Sequence, residues 1–121
     1  MGYGLIIGDE KRSLVVAVSP LGYAAIWERG ARGDQTLVWL PWQTWPHVAT
    51  GDASNEIWVD VEPQGDQDKV SVRINRELQW TGQAAARGDQ VGLWAASFGD
   101  EAGVEFQQLT QFDALPKGPA Q

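Results

Sequence analysis

The chain has no cysteine and one histidine, His47. Without cysteine there is no disulfide framework, no thiolate metal site and no cysteine nucleophile. A single histidine cannot assemble a zinc site unaided. As the base of a nucleophilic triad it stands in Trp45-Pro46-His47-Val48, and the chain contains no G-x-S-x-G elbow to serve it. Basic residues are also scarce: 9 Lys and Arg face 16 Asp and Glu, a formal net charge of −7. That balance argues against nucleic acid and membrane as partners, since both are recruited by basic patches. No apolar run approaches the roughly 20 residues that cross a bilayer, and the stretch Met1 to Arg12 lacks the basic start and small-residue cleavage site expected of a signal peptide. Gly2 to Gly8 and Gly30 to Gly33 have neither the spacing nor the following helix of a phosphate or dinucleotide loop, so no cofactor is implied. Helical periodicity is missing throughout, and Ala84 to Arg87 is too short to nucleate a helix alone.

What the 121 residues do contain is glycine, 14 of them, and tryptophan, 7 of them. The length suits a single domain. The reading places it over residues 1–114, with 115–121, which holds two prolines and a glycine, as a tail or linker. The glycines separate short runs rich in Val, Ile, Leu and Trp, the punctuation of an all-β protein. Strands are expected at Tyr3 to Ile7, Ser13 to Ser19, Tyr23 to Glu28 and Gln35 to Leu40, after which Pro41 and Pro46 make an irregular or extended stretch rather than a continued central strand. In Glu56 to Glu62, Ile57, Val59 and Val61 alternate with Trp58, Asp60 and Glu62, and Lys69 to Ile74 repeats the period of two. Asn75-Arg76 is a hairpin turn leading to Leu78 to Thr81, because Asn tolerates positive φ. Gln90 to Ser97 and Val104 to Leu109 complete the set, with Phe98 to Glu101 as the turn between them. Short strands with regular turns point to an antiparallel β-sandwich.

The order of these elements resembles the later part of a concanavalin A-like lectin/glucanase jelly roll of the laminin-G-like subgroup. The residues that carry the resemblance are Tyr3-Gly4-Leu5-Ile6-Ile7, the turn Leu21-Gly22-Tyr23, Leu37-Val38-Trp39 with its Trp- and Pro-rich sequel, and Asn55-Glu56-Ile57-Trp58-Val59. Val70 to Asn75, Gln90-Val91-Gly92-Leu93 and Val104-Glu105-Phe106 continue it. The family's hairpin glycine is Arg76 here, which leaves the turn type open. Such domains usually begin with further strands before the first of these, so the resemblance implies a reduced version or a second copy that completes or covers the sheet edge.

Glucanases of that fold use two carboxylates. The resemblance would put the nucleophile at Trp58, which cannot serve, so Asp60 and Glu62 read as a solvated strand face and the chain as non-catalytic. The acidic loops Gly51 to Glu56, Gln64 to Asp68 and Phe98 to Glu101 have the oxygen ligands calcium uses, but no EF-hand spacing, and the same residues make ordinary turns. No metal is expected.

Tryptophan is the more informative feature. Trp58 is out of phase with Ile57, Val59 and Val61, and Trp94 with Val91 and Leu93; Trp27, Trp39 and Trp80 read as core or loop packing, while Trp42 and Trp45 cluster with Trp39 in the Pro-rich segment. A ligand face of Trp58, Asp60, Arg73 and Trp94 follows, with a carbohydrate as the class the resemblance implies: sugar C–H faces stack on indole while charged groups bond the hydroxyls. The alternative is a protein-interaction or self-assembly module in which exposed Trp and an open sheet edge form a homo-oligomer contact.

Overall fold

The computed structural model describes residues 2–84, 86 and 90–96. Among them are eight strands: β1 (Gly2–Gly8), β2 (Arg12–Val18), β3 (Tyr23–Gly30), β4 (Gln35–Thr44), β5 (Ile57–Gln64), β6 (Gln67–Ile74), β7 (Glu77–Ala84) and β8 (Gln90–Ala96). They form two antiparallel sheets, one of five strands in the order β4-β3-β2-β1-β8 and one of three in the order β5-β6-β7. The expected strand at Val104 to Leu109, the turn at Phe98 to Glu101 and the tail at 115–121 lie outside the described residues.

The two sheets bury a shared core. Leu14, Val16 and Val18 of β2 and Ala24 and Ile26 of β3 meet Val70, Val72 and Ile74 of β6. Each of these side chains is one member of a period-two set, so β2, β3 and β6 each commit one face to the shared interior. Trp39 of β4 and Trp80 of β7 close the side of this core, ring centroids 5.5 Å apart. Gly82 makes room for that contact: a Cβ there would lie 2.5 Å from Cζ2 of Trp80.

Within this core sits a carboxylate. Glu28 is 2% exposed, yet both oxygens are occupied, Oε1 by a nitrogen of Arg12 at 2.8 Å and Oε2 by Nε1 of Trp39 at 2.9 Å. The buried charge is tolerated because the guanidinium neutralises it and the indole satisfies its second oxygen.

β2 is buried on both faces, which explains its nearly unbroken apolar sequence. On the outward side of the larger sheet a second cluster joins Val15, Ala17, Ala25 and Trp27 to Ile6, Trp42 and Trp94. Trp27 lies at its centre, 6.0 Å from Trp42 and 5.0 Å from Trp94, the latter edge to face, an arrangement that suits the aromatic quadrupoles. Both flanking rings close over Gly2, where a Cβ would come within 2.9 Å of Trp42 and 3.2 Å of Trp94.

Two sequence expectations are refined. β4 runs through Pro41 to Thr44, and it does so as an edge strand with register shifts opposite β3, where the missing N–H of proline is harmless. β1 is flanked on both sides, by β2 and by β8, so the first strand of the chain leaves no open edge of its own.

The β6–β7 turn settles the question raised by Arg76. Asn75 and Arg76 have φ of 53° and 72°, and Ile74 pairs with Glu77. That is a two-residue turn with positive φ at both central positions, the kind whose twist matches the flanking strands. Asn75 secures it through its side chain, which accepts from the Glu56 N–H at 2.8 Å and donates to the His47 carbonyl at 2.7 Å.

Candidate functional site

The outward face of the three-stranded sheet is built by register. Trp58 pairs with Arg73 and Arg73 with Leu78, so one row across the sheet reads Trp58, Arg73, Leu78. The next row is Asp60, Ser71, Thr81, and the third is Glu62, Lys69, Gln83. Directly opposed residues on one face bring their Cβ atoms to about 5 Å, and successive rows are about 7 Å apart. Trp58, Asp60 and Arg73 are therefore brought together, as the phase of Trp58 predicts.

In the first two of these rows the protein itself makes few bonds to the polar groups. Ser71 and Thr81 hydroxyls lie 3.3 Å apart, and Arg73 gives one N–H to the Arg76 carbonyl at 3.3 Å. Among the described residues the ion pairs are Arg12 with Glu28 and Arg76 with Glu56; Arg73 and Asp60 take part in neither. The face thus offers donors and an acceptor beside an indole. Trp58 is 48% exposed and Leu78 47%, in the same row on either side of Arg73.

Leu78 was not singled out by the sequence. A bulge between Val72 and Arg73 adds one residue to β7 and sets Leu78 opposite Arg73. The only sequence signal was an apolar residue immediately after a turn.

Trp94 is placed elsewhere. It projects from β8 on the outward side of the five-stranded sheet, half-buried against Trp27, and takes no part in the face that holds Trp58. Its phase opposes that of Leu93 because the outer face of this sheet carries its own apolar cluster, whereas Leu93 is exposed.

The remaining candidates are also located. Asp60 and Glu62 lie on the same face, one row apart, with Trp58 at the preceding outward position of β5. His47 is exposed and its ring meets the edge of Trp45, centroids 5.4 Å apart. Among the described residues no group of three His, Asp or Glu side chains converges to hold a metal ion.

Compared with family models, with curated proteins and with solved structures, the chain matches none.

Proposed function

We propose that this chain is a non-catalytic binding module, a concanavalin A-like jelly-roll sandwich, that takes a carbohydrate on the outward face of its three-stranded sheet. The observation that carries the reading is Trp58, a half-exposed indole on a β-sheet face, directly opposite an Arg73 that lacks a carboxylate partner among the described residues. An exposed tryptophan is costly to hydrate and offers a flat apolar surface for a pyranose ring, while Arg73, Asp60 and the Ser71–Thr81 pair supply hydroxyl partners. The sandwich part of that reading draws support from the two antiparallel sheets that share one core, with β8 returning by a long connection to lie beside β1.

Leu78 favours a second reading, in which the same face contacts a protein. Trp58, Arg73 and Leu78 in one row combine the aromatic and arginine anchors typical of interface centres, and a sugar needs no leucine. A second copy is then the simplest partner, and β5 and β7 are the strands at the rim of that sheet.

One pair of experiments separates the two. A glycan array probed with the purified chain and with Trp58→Ala is expected to give hits that the variant loses. Sedimentation over a range of concentrations is expected to show a monomer. No glycan hit together with a dimer that Trp58→Ala dissociates would replace the first reading by the second.

A further inference from the structure

A five-residue unit occurs twice in the chain. Residues 31–35 and 86–90 both read Ala-Arg-Gly-Asp-Gln, and each unit is followed at the same distance by a tryptophan, Trp39 and Trp94. Gln35 opens β4 and Gln90 opens β8, the two outermost strands of the larger sheet among the described residues. Pairing runs Gln90, Gly8, Ser13, Arg29, Gln35 in one row across the five strands, so both units lead into the sheet at the same level, on its two sides.

The first unit is open to a partner. Arg32, Gly33 and Asp34 form the tip of the β3–β4 hairpin, and all three are exposed. Two backbone bonds close the turn: the Gly30 N–H donates to the Asp34 carbonyl at 2.9 Å and the Gly33 N–H to the Gly30 carbonyl at 3.0 Å. Gly33 has φ of 83°, which most side chains adopt only under strain, and nothing lies within 4 Å of where its Cβ would stand. A partner can therefore come close to the backbone between the two charges. Neither Arg32 nor Asp34 has an ion pair or a side-chain hydrogen bond among the described residues. The second unit starts differently, since Ala86 is 3% exposed whereas Ala31 is open to solvent.

We propose that Arg32-Gly33-Asp34 is a recognition loop for a protein receptor whose pocket sets a divalent cation beside an acidic slot. The Asp34 carboxylate completes the coordination of the cation, and the Arg32 guanidinium enters the slot. Magnitudes decide the chemistry. An exposed carboxylate gains little from a lysine or arginine of a partner, because both ions remain solvated and screened. A divalent cation with an open position instead takes a carboxylate oxygen directly, and a guanidinium makes paired bonds to a facing carboxylate. An epitope of three residues has few contacts, so both must be strong, and the closed turn presents them with little freedom left to lose. The loop belongs to the larger sheet and Trp58 to the smaller, so either reading can fail without the other.

The test is surface plasmon resonance of the full chain over an immobilised integrin ectodomain of the class that takes Arg-Gly-Asp turns on a bound divalent cation, in manganese and after chelation by EDTA. Saturable binding with the metal present and its loss in EDTA are expected. Asp34→Glu keeps the charge but moves the carboxylate outward by a methylene, and is expected to weaken binding by about tenfold or more, as is Arg32→Ala, while Asp89→Glu binds like the native chain. An unchanged urea midpoint in Asp34→Glu shows that the fold is kept. No saturable binding with the metal present, binding that survives EDTA, undiminished affinity in Asp34→Glu, or loss of binding in Asp89→Glu would overturn the proposal.

Discussion

Nδ2 of Asn75 donates to Oδ1 of Asn55 at 2.9 Å, and this bond joins the turn of the smaller sheet to the connection leading out of the larger one. Asn55 in turn binds the Ala49 N–H at 2.7 Å, the Ala49 carbonyl at 3.0 Å and the Tyr3 hydroxyl of β1 at 2.8 Å. Two asparagines thus fasten three separate segments at one end of the sandwich. Part-buried networks of this kind fix geometry because each member loses several partners at once if displaced.

Asn55→Ala is expected to destabilise the fold by about 2–3 kcal/mol, since four hydrogen bonds lose a partner. Asn75 separates two effects. Asn75→Gly keeps the positive φ and removes only the side-chain bonds, whereas Asn75→Ala also strains the turn and should cost about 1 kcal/mol more. Urea unfolding midpoints with unchanged slope measure both.

A second prediction concerns Glu28. Glu28→Ala leaves the Trp39 Nε1–H and Arg12 without their acceptor and opens a space in the core, for an expected loss of about 3 kcal/mol. Arg12→Ala leaves the buried Glu28 carboxylate without its counter-charge and should cost a comparable amount, at least about 2 kcal/mol, although the arginine itself is largely exposed. Equal and small effects from both variants in chemical denaturation would show that the pair is ornamental to the fold.

The sequence made much of this architecture legible, for reasons that residues make plain. Ile57, Val59 and Val61 alternate with Trp58, Asp60 and Glu62, so phase put Trp58 on the polar face of β5 without telling whether that face is covered. In the structure Ile57 and Val59 pack on the core, Val61 is exposed and Trp58 is open. The same logic failed to say what lies over Trp94. In the larger sheet both faces are apolar, and an off-phase tryptophan there enters a second cluster instead of solvent. The clue was Leu14 to Val18, apolar in both phases, which signals a strand covered on both sides. Pro41 did not end β4, because edge position is a property of the assembled sheet and not of the local sequence. Leu78 depended on a bulge that no pattern of spacing announced.

That contrast between the two tryptophans is itself testable. Trp94→Ala removes a ring packed edge to face on Trp27 and should lower stability by about 2–3 kcal/mol. Trp58→Ala, at a half-exposed sheet position, should lower it by less than about 1 kcal/mol. Thermal or urea unfolding of the two variants side by side gives the comparison, and the reverse order would contradict the placement of both rings.

Acid should loosen the β1–β2 turn. Hydrogen bonds from the Arg12 and Lys11 backbone N–H groups hold the Asp9 carboxyl below its ordinary pKa. A carboxyl whose folded pKa lies below its unfolded value stabilises the fold above the unfolded pKa, and that contribution is lost as pH falls through the folded one. The turn is therefore expected to hold through the neutral and mildly acidic range and to open below the usual carboxylate range. Amide exchange at Lys11 and Arg12 reads the opening, and Asp9→Asn should remove its pH dependence.

The central claim is that the open face of the three-stranded sheet is the ligand surface and that Trp58 is its anchor. The most direct measurement is intrinsic fluorescence titration, with the oligosaccharide that scores highest on the array, of the native chain, Trp58→Ala, Arg73→Ala and Trp94→Ala. The account predicts saturable quenching in the native chain and in Trp94→Ala, its loss in Trp58→Ala, and an affinity at least about tenfold weaker in Arg73→Ala. Undiminished binding by Trp58→Ala, or binding abolished by Trp94→Ala alone, would contradict it.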